Sequence, residues 1–163
     1  MSVWAVIAAA GSGERLGLDR PKAFASLNDR PLLAEPLERL DASEWIDGIV
    51  VAAPPGWEEP CILVAEEVAA GKVAETVTGG ATRAESVRLA LAEVVRNLSL
   101  RDRDKGLSTG EKQMFVKAKK ILISELMYAK GMDEEETAEW LDGVLVSDLT
   151  AKKKSRAKAG AAA

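Results

Sequence analysis

The amino-acid sequence predicts a partial Rossmann-like α/β sheet in its front half, joined to an all-α helical back half. Three observations carry this. Two β-type runs, 3–10 and 73–78, each end in glycines and lead into a helix signal, the pattern of a parallel strand–turn–helix unit. All six prolines fall at or before Pro60. From about Ala92 strand signals vanish and the charge balance changes sign. Residues 1–94 hold 8 basic against 15 acidic side chains and residues 95–163 hold 14 against 11, which together give the −4 of the whole chain.

The first strand is expected near 3–9, where the apolar run Val3 to Ala10 reads as buried. Ala9, Ala10, Gly11, Ser12 and Gly13 follow, with Arg15, Gly17 and the Pro21-Lys22 pair close behind. Glycines let backbone N–H groups approach phosphate oxygens. Arg15 and Lys22 supply positive charge of the kind that phosphoryl-type transfer needs. Pro21 fixes the chain before Lys22 and biases Arg20 towards an extended conformation. The loop is neither a P-loop nor the dinucleotide fingerprint, whose third glycine would have to stand one residue earlier than Gly17. An ordinary glycine-rich turn is the alternative reading. Further strands are expected at 48–53 and 73–78. The second of these runs into Gly79-Gly80, and Thr82-x-x-Glu85 then has the form of a capping box. That helix start is either a plain cap or a nucleotide contact.

Taken together, Ala8-Ala9-Ala10-Gly11-Ser12-Gly13-x-Arg15, Pro21-Lys22 and Gly79-Gly80-x-x-Arg83-x-x-Ser86-Val87 resemble the N-terminal part of the 2-C-methyl-D-erythritol 4-phosphate cytidylyltransferase family over about 2–94. The resemblance implies a partial nucleotidyltransferase sheet. It implies Arg15 and Lys22 as catalytic charges at the α-phosphate of CTP. It implies nucleotide binding by Ala9, Ala10, Gly11, Ser12 and Gly13 at the triphosphate, and by Gly80, Arg83 and Ser86 on the cytosine and ribose side. The family continues with a His-Asp-Ala-Ala-Arg-Pro-like segment whose aspartate helps to hold Mg²⁺. This chain has no histidine, and nothing after Val94 resembles that segment. The Mg²⁺ implied by the resemblance therefore lacks its ligand here, and no metal-binding residue is assigned.

The back half reads as helices. Val87, Leu91, Val94, Val95 and Leu98 recur at helical spacing up to the charged turn before Gly106. Ser108-Thr109-Gly110-Glu111 is a second capping box, followed by an apolar side of Met114, Ala118, Ile121, Leu122, Leu126 and Ala129 that stops at Lys130-Gly131. Asp133 opens a third helix carrying Ala138, Leu141, Val144 and Leu145. The lysine-rich tail 151–163 is low-complexity and is expected to be disordered. Arg101-Asp102-x-x-x-Gly106-Leu107-Ser108-x-Gly110-Glu111-Lys112 and Ile121-Leu122-x-Ser124-Glu125-Leu126 resemble the C-terminal helical domain of CarD-type, RNA polymerase-binding transcription regulators over about 92–149. In that family the helical domain touches promoter DNA and a separate domain binds the polymerase. The tryptophan that the family uses as a DNA wedge has no counterpart here, and Trp140 reads as packing.

The chain thus reads as a chimera of two unrelated families: a cytidylyltransferase-like segment over 1–94, a CarD-like helical segment over 95–150 and the tail. The first functional reading is a truncated CTP-binding half fused to a partial CarD-like domain, without intact activity. A second is an active cytidylyltransferase that transfers cytidylyl from CTP to a sugar-alcohol phosphate. The third is a module associated with DNA or RNA polymerase, whose non-specific DNA contacts come from Lys112, Lys117, Lys119, Lys120 and the tail; a solvated lysine face is the alternative. An incomplete sheet leaves an open edge, so self-association is expected. Cys61 is the sole cysteine, so no intramolecular disulfide forms and a reducing compartment is expected. No segment reaches the roughly 18 uninterrupted apolar residues of a membrane span, and residues 1–10 lack a signal peptide's basic start. A cytoplasmic protein is the expectation.

Overall fold

The structure, a computed structural model, describes residues 3–69 and 71–146, without the side chain of Arg15. The chain divides into two compact units, Met1–Val94 and Val95–Ala163. The expected tail at 151–163 lies outside the described residues.

The first unit is built on a three-stranded sheet of β1 (Trp4–Ala8), β4 (Gly48–Ala53) and β5 (Val73–Thr78) in the order β1-β4-β5, with both pairings parallel. The three expected strands are present. β4 is central and every residue in it is buried, as expected of a Val/Ile-rich strand covered on both faces. Its alternation sends Ile49, Val51 and Ala53 into a cluster with Leu37 and Ala34 of α1 (Ala34–Asp41) and with Cys61, Val64 and Ala65 of α2 (Glu58–Val68). Phe24 joins this core and its ring lies 4.6 Å from that of Trp57. A small hairpin, β2 (Ser26–Leu27) and β3 (Arg30–Pro31), turns through Asn28 and Asp29, both at positive φ, as a two-residue primed turn requires. Lys72 closes the far end. Its ammonium donates to the carbonyls of Asp41 and Ser43, where the C-terminus of α1 attracts a cation.

The all-helical part of the chain begins with α3 (Arg83–Lys105), which extends past the division at Val94. Its fully buried stripe is Ser86, Ala90, Val94, Val95 and Leu98, while Val87, expected on the apolar side, is 39 % exposed. The buried row runs in steps of four from Ser86, and Val87 lies a hundred degrees round the helix from it. In the second unit, α4 (Thr109–Lys130) carries the full expected capping box: Ser108 accepts from the Glu111 N–H and the Glu111 carboxylate accepts from the Ser108 N–H. Ala118 and Leu122 are its buried residues. Ile121 and Ala129, assigned to the apolar side in the sequence, are exposed; Ile121 falls outside the narrow arc centred on Ala118 and Leu122, and Ala129 lies on that arc but in the last turn of the helix. The Gly131 N–H ends α4 on the Met127 carbonyl. The third back-half helix, α5, is described over 134–146. Asp133 caps it by accepting from the Glu136 N–H at 2.9 Å, and Thr137, fully buried, donates to the Asp133 carbonyl at 2.6 Å. Trp140 is 38 % exposed and the Lys130 ammonium stands 3.9 Å from its ring centroid, a cation–π contact on α5.

Cys61 tests the front core directly. Burial, and secondarily the charge of Glu58, push its thiol from 9.0 up to about 11. A thiol raised in this way keeps its proton when the unfolded chain loses it, so the native state loses stability as pH rises from about 9 through 11. At pH 8 the folded chain should react with a disulfide reagent far more slowly than the same chain in urea. Equal rates would show that Cys61 is not held in a closed core.

Candidate functional site

The carboxyl ends of β1 and β5 lie on the same side of their parallel sheet, and each opens into a glycine loop. That side is where α/β sheets place ligands. A cavity of about 830 Å³ lies there. One wall is Ile7 to Ser12 with Glu14; another is Gly79 to Arg83 with Ser86. Lys22 and Ala23, then Leu32, Leu33 and Pro36 beside the start of α1, close it.

Of the residues singled out in the sequence, Ala9, Ala10, Gly11, Ser12, Lys22, Gly80, Arg83 and Ser86 all line this cavity. The structure therefore brings together residues more than sixty positions apart. Gly13 stands behind the wall. At φ +81° it lets the chain double back, and a Cβ there would sit 2.9 Å from the Lys22 backbone nitrogen. The Lys22 N–H donates to the Gly11 carbonyl, which fixes the lysine's backbone against the loop. Arg15 belongs to the short 3₁₀ turn Glu14–Leu16. Lys112, Lys117 and Lys120 are exposed on α4, in the second unit. They form no ion pair among the described residues, whereas Lys119 is held by Asp142 at 2.6 Å.

The second glycine loop is held by its own helix. The Ser86 hydroxyl, 2 % exposed, accepts from the Gly80 N–H at 3.1 Å and donates to the Thr82 carbonyl at 2.9 Å. Thr82 accepts from the Glu85 N–H, while the Glu85 carboxylate reaches past the usual capping-box partner to the Ala81 N–H at 2.9 Å. Gly79 is the tightest point: a Cβ there would lie 2.2 Å from the Ala10 Cβ and 3.0 Å from the Ala53 carbonyl oxygen. Just before the loop, Thr78 at the end of β5 donates to Glu58 at 2.6 Å, and this bond holds the Glu58 carboxyl below its ordinary range. Gly79 as a packing residue, and Leu32, Leu33 and Pro36 as walls, were not recognised in the sequence. Gly79 was readable as the first half of a Gly-Gly pair after a strand; the walls carry no local signal.

The lining presents Lys22 and Arg83 as cations and Glu14 as its carboxylate. That balance suits an anionic ligand. Among the described residues no three His, Cys, Asp or Glu side chains cluster closely enough to hold a metal ion. One carboxylate on the wall does not make a protein-built Mg²⁺ site.

The fold and the cavity thus define an α/β unit with two glycine loops facing an anion-favouring site. A family model described as 2-C-methyl-D-erythritol 4-phosphate cytidylyltransferase matches residues 3–99, and the chain belongs to that family. Proteins of that name from Frankia casuarinae and Halorhodospira halophila are 41% and 45% identical over 98 and 93 residues, covering 60% and 55% of this chain and 35% and 37% of their own lengths. A bifunctional enzyme IspD/IspF from Novosphingobium aromaticivorans is 45% identical over 90 residues, which cover 55% of this chain and 22% of that protein. The chain spans little more than a third of the length of the single-function relatives. A second family model, described as CarD, C-terminal domain, matches 87–142. Two family models therefore match one chain, and the matches overlap within α3. Among the described residues no helix is long and apolar enough to cross a membrane.

The close approach at Gly79 makes a prediction. Gly79→Ala should cost about 1–3 kcal/mol in urea unfolding, the usual range for overpacking a tight core. Gly71→Ala is the control, because its Cβ would meet nothing nearer than an Asp41 oxygen at 4.0 Å. If the two variants unfold alike, the glycine loop is not clamped between β1, β4 and α3.

Proposed function

We propose that the front unit binds the triphosphate of CTP in the glycine-lined cavity and does not by itself complete cytidylyl transfer. The observation that carries this is the meeting of Gly11–Ser12, Lys22, Gly80 and Arg83 on one cavity. The exposed N–H groups of the first loop take phosphate oxygens, and the Lys22 ammonium offsets their charge. Arg83 and Ser86 border the nucleoside end. Arg15 is assigned beside Lys22 from its place in the loop sequence. Mg²⁺ would add charge between the phosphates when bound; the lining offers only Glu14 towards it, so no step is assigned to the metal. No acceptor pocket for a sugar-alcohol phosphate is assigned within the unit, and the relatives' remaining length is where their acceptor chemistry would be sought. Titration calorimetry with CTP should show binding that Lys22→Ala weakens by about 10- to 150-fold, the equivalent of roughly 1.5–3 kcal/mol for a charge-assisted contact. Pyrophosphate release from CTP and methylerythritol phosphate should stay at background with or without Mg²⁺. Turnover that Arg15→Ala abolishes would replace this reading with an active cytidylyltransferase, and absence of any CTP binding would remove it.

One observation favours a second activity for the helical unit. Lys112, Lys117 and Lys120 stand exposed and without ion-pair partners among the described residues. At low salt we infer sequence-blind contact with DNA phosphates through them. Binding to random duplex should fall steeply between about 50 and 200 mM salt. A preference for promoter DNA that persists at the higher salt would mean base or shape readout instead.

A further inference from the structure

Two helices in this chain keep amphipathic faces turned to solvent, and the faces are complementary. On α2, Glu59, Ile62, Leu63 and Glu66 share one side at steps of three and four. Ile62 is 43 % exposed and Leu63 60 %, and Glu67 borders them. No cation lies on that face. The buried side of the same helix is Cys61, Val64 and Ala65, so the exposed apolar pair is not part of the core stripe. On α4, Lys117, Lys120, Ser124 and Tyr128 share the side opposite Ala118 and Leu122. Val116, Ile121 and Tyr128 on it are 65 %, 54 % and 90 % exposed. The cations Lys117 and Lys120 lie at the centre of this face, and its one carboxylate, Glu125, stands at the border beside Ile121.

We propose that these are two halves of one contact: the acidic–apolar face of α2 in one chain packs on the basic–apolar face of α4 in a second copy. The lengths agree, since α2 has 11 residues, about 16 Å of helix, and the stretch from Lys117 to Tyr128 is about as long. Tyr128 is the kind of large amphipathic side chain that anchors interfaces. Ile62 and Leu63 would pack against Ile121 and Val116, with Glu59 and Glu66 meeting Lys117 and Lys120. Each face alone is an ordinary solvated helix side with apolar residues to spare. Their opposite charge, matched apolar content and matched length select a second copy as the occupant. A contact between unlike surfaces is heterologous and either closes or propagates.

The full chain should sediment above monomer mass at about 100 µM in low salt and dissociate as ionic strength rises. Two double variants, E59K with E66K and K117E with K120E, should each weaken association by at least about tenfold, because like charges then face one another. Mixing the two variants in equal amounts should restore it, since α2 and α4 are again opposite in both pairings. Circular dichroism checks that each remains folded, and I62S with I121S probes the apolar part without altering charge. Wild-type chain that stays monomeric overturns the proposal. So does association that survives both reversals, which would place the contact elsewhere, at the open edge of β1 for example. Loss of duplex binding in K117E/K120E with association unchanged would make the α4 face a nucleic-acid surface and would also overturn it.

Discussion

The front unit depends on the space left by a missing side chain. At Gly79 the end of β5 passes so close to the Ala10 methyl, the Ala53 carbonyl and the Ser86 hydroxyl that no Cβ fits. The Gly79 N–H donates to that same carbonyl at 2.8 Å, which extends the β4–β5 ladder by one residue. Gly80 follows, with the Glu85 side chain lying in the space where its Cβ would stand. Ser86 then receives the Gly80 N–H. One contact thus sets the end of β1, the end of β4, the second glycine loop and the first turn of α3 in relation to one another. The cavity is what remains between these parts once they are fixed.

The three strands of the parallel sheet and the back-half helices were legible because their signals are local; the short hairpin β2–β3 was not read from the sequence. β4 reads as a run of buried branched residues, and α4 and α5 open on Ser108 and Asp133, whose side chains do what capping residues do. α1 and α2 were not legible. Their N-caps are Leu33 and Trp57, which make no side-chain cap bond, and each has a proline in its first turn, Pro36 and Pro60. In a sequence those prolines look like breaks. In the structure they cost nothing, because first-turn N–H groups have no partner within the helix. What holds these helices is tertiary: Leu37, Cys61 and Val64 against Ile49 and Val51. Packing of that kind has no short-range signature.

The candidate site divides in the same way. Its first glycine loop and Lys22 could be read from the dozen residues 11–22, and its second from Gly79-Gly80 after a strand, because each loop needs its special backbone locally. Its walls at Leu32, Leu33 and Pro36 could not, since the hairpin and α1 bring them there. Gly13 shows the limit of reading a motif as a list of contacts. It belongs to the glycine string, yet its role is to let the loop reverse against Lys22 rather than to face the cavity. Val87 and Ile121 show the limit of reading periodicity. Steps of three and four admit neighbouring phases, and only the packed row, Ser86–Ala90–Val94–Leu98 in α3, decides which is buried.

That row also bears on how two family matches can meet in one chain. Their matches overlap from 87 to 99, inside a single helix. A helix tolerates such a join better than a strand would. Its backbone hydrogen bonds close within four residues, so each side of the join satisfies its own. A strand needs a partner at a fixed register, and a change of sequence there would lose the partner's pairing. What a helix must preserve is the phase of its buried side. Ser86, Ala90 and Val94 lie on the front side of the division, and Leu98 continues the same four-residue step beyond it with none of the four exposed.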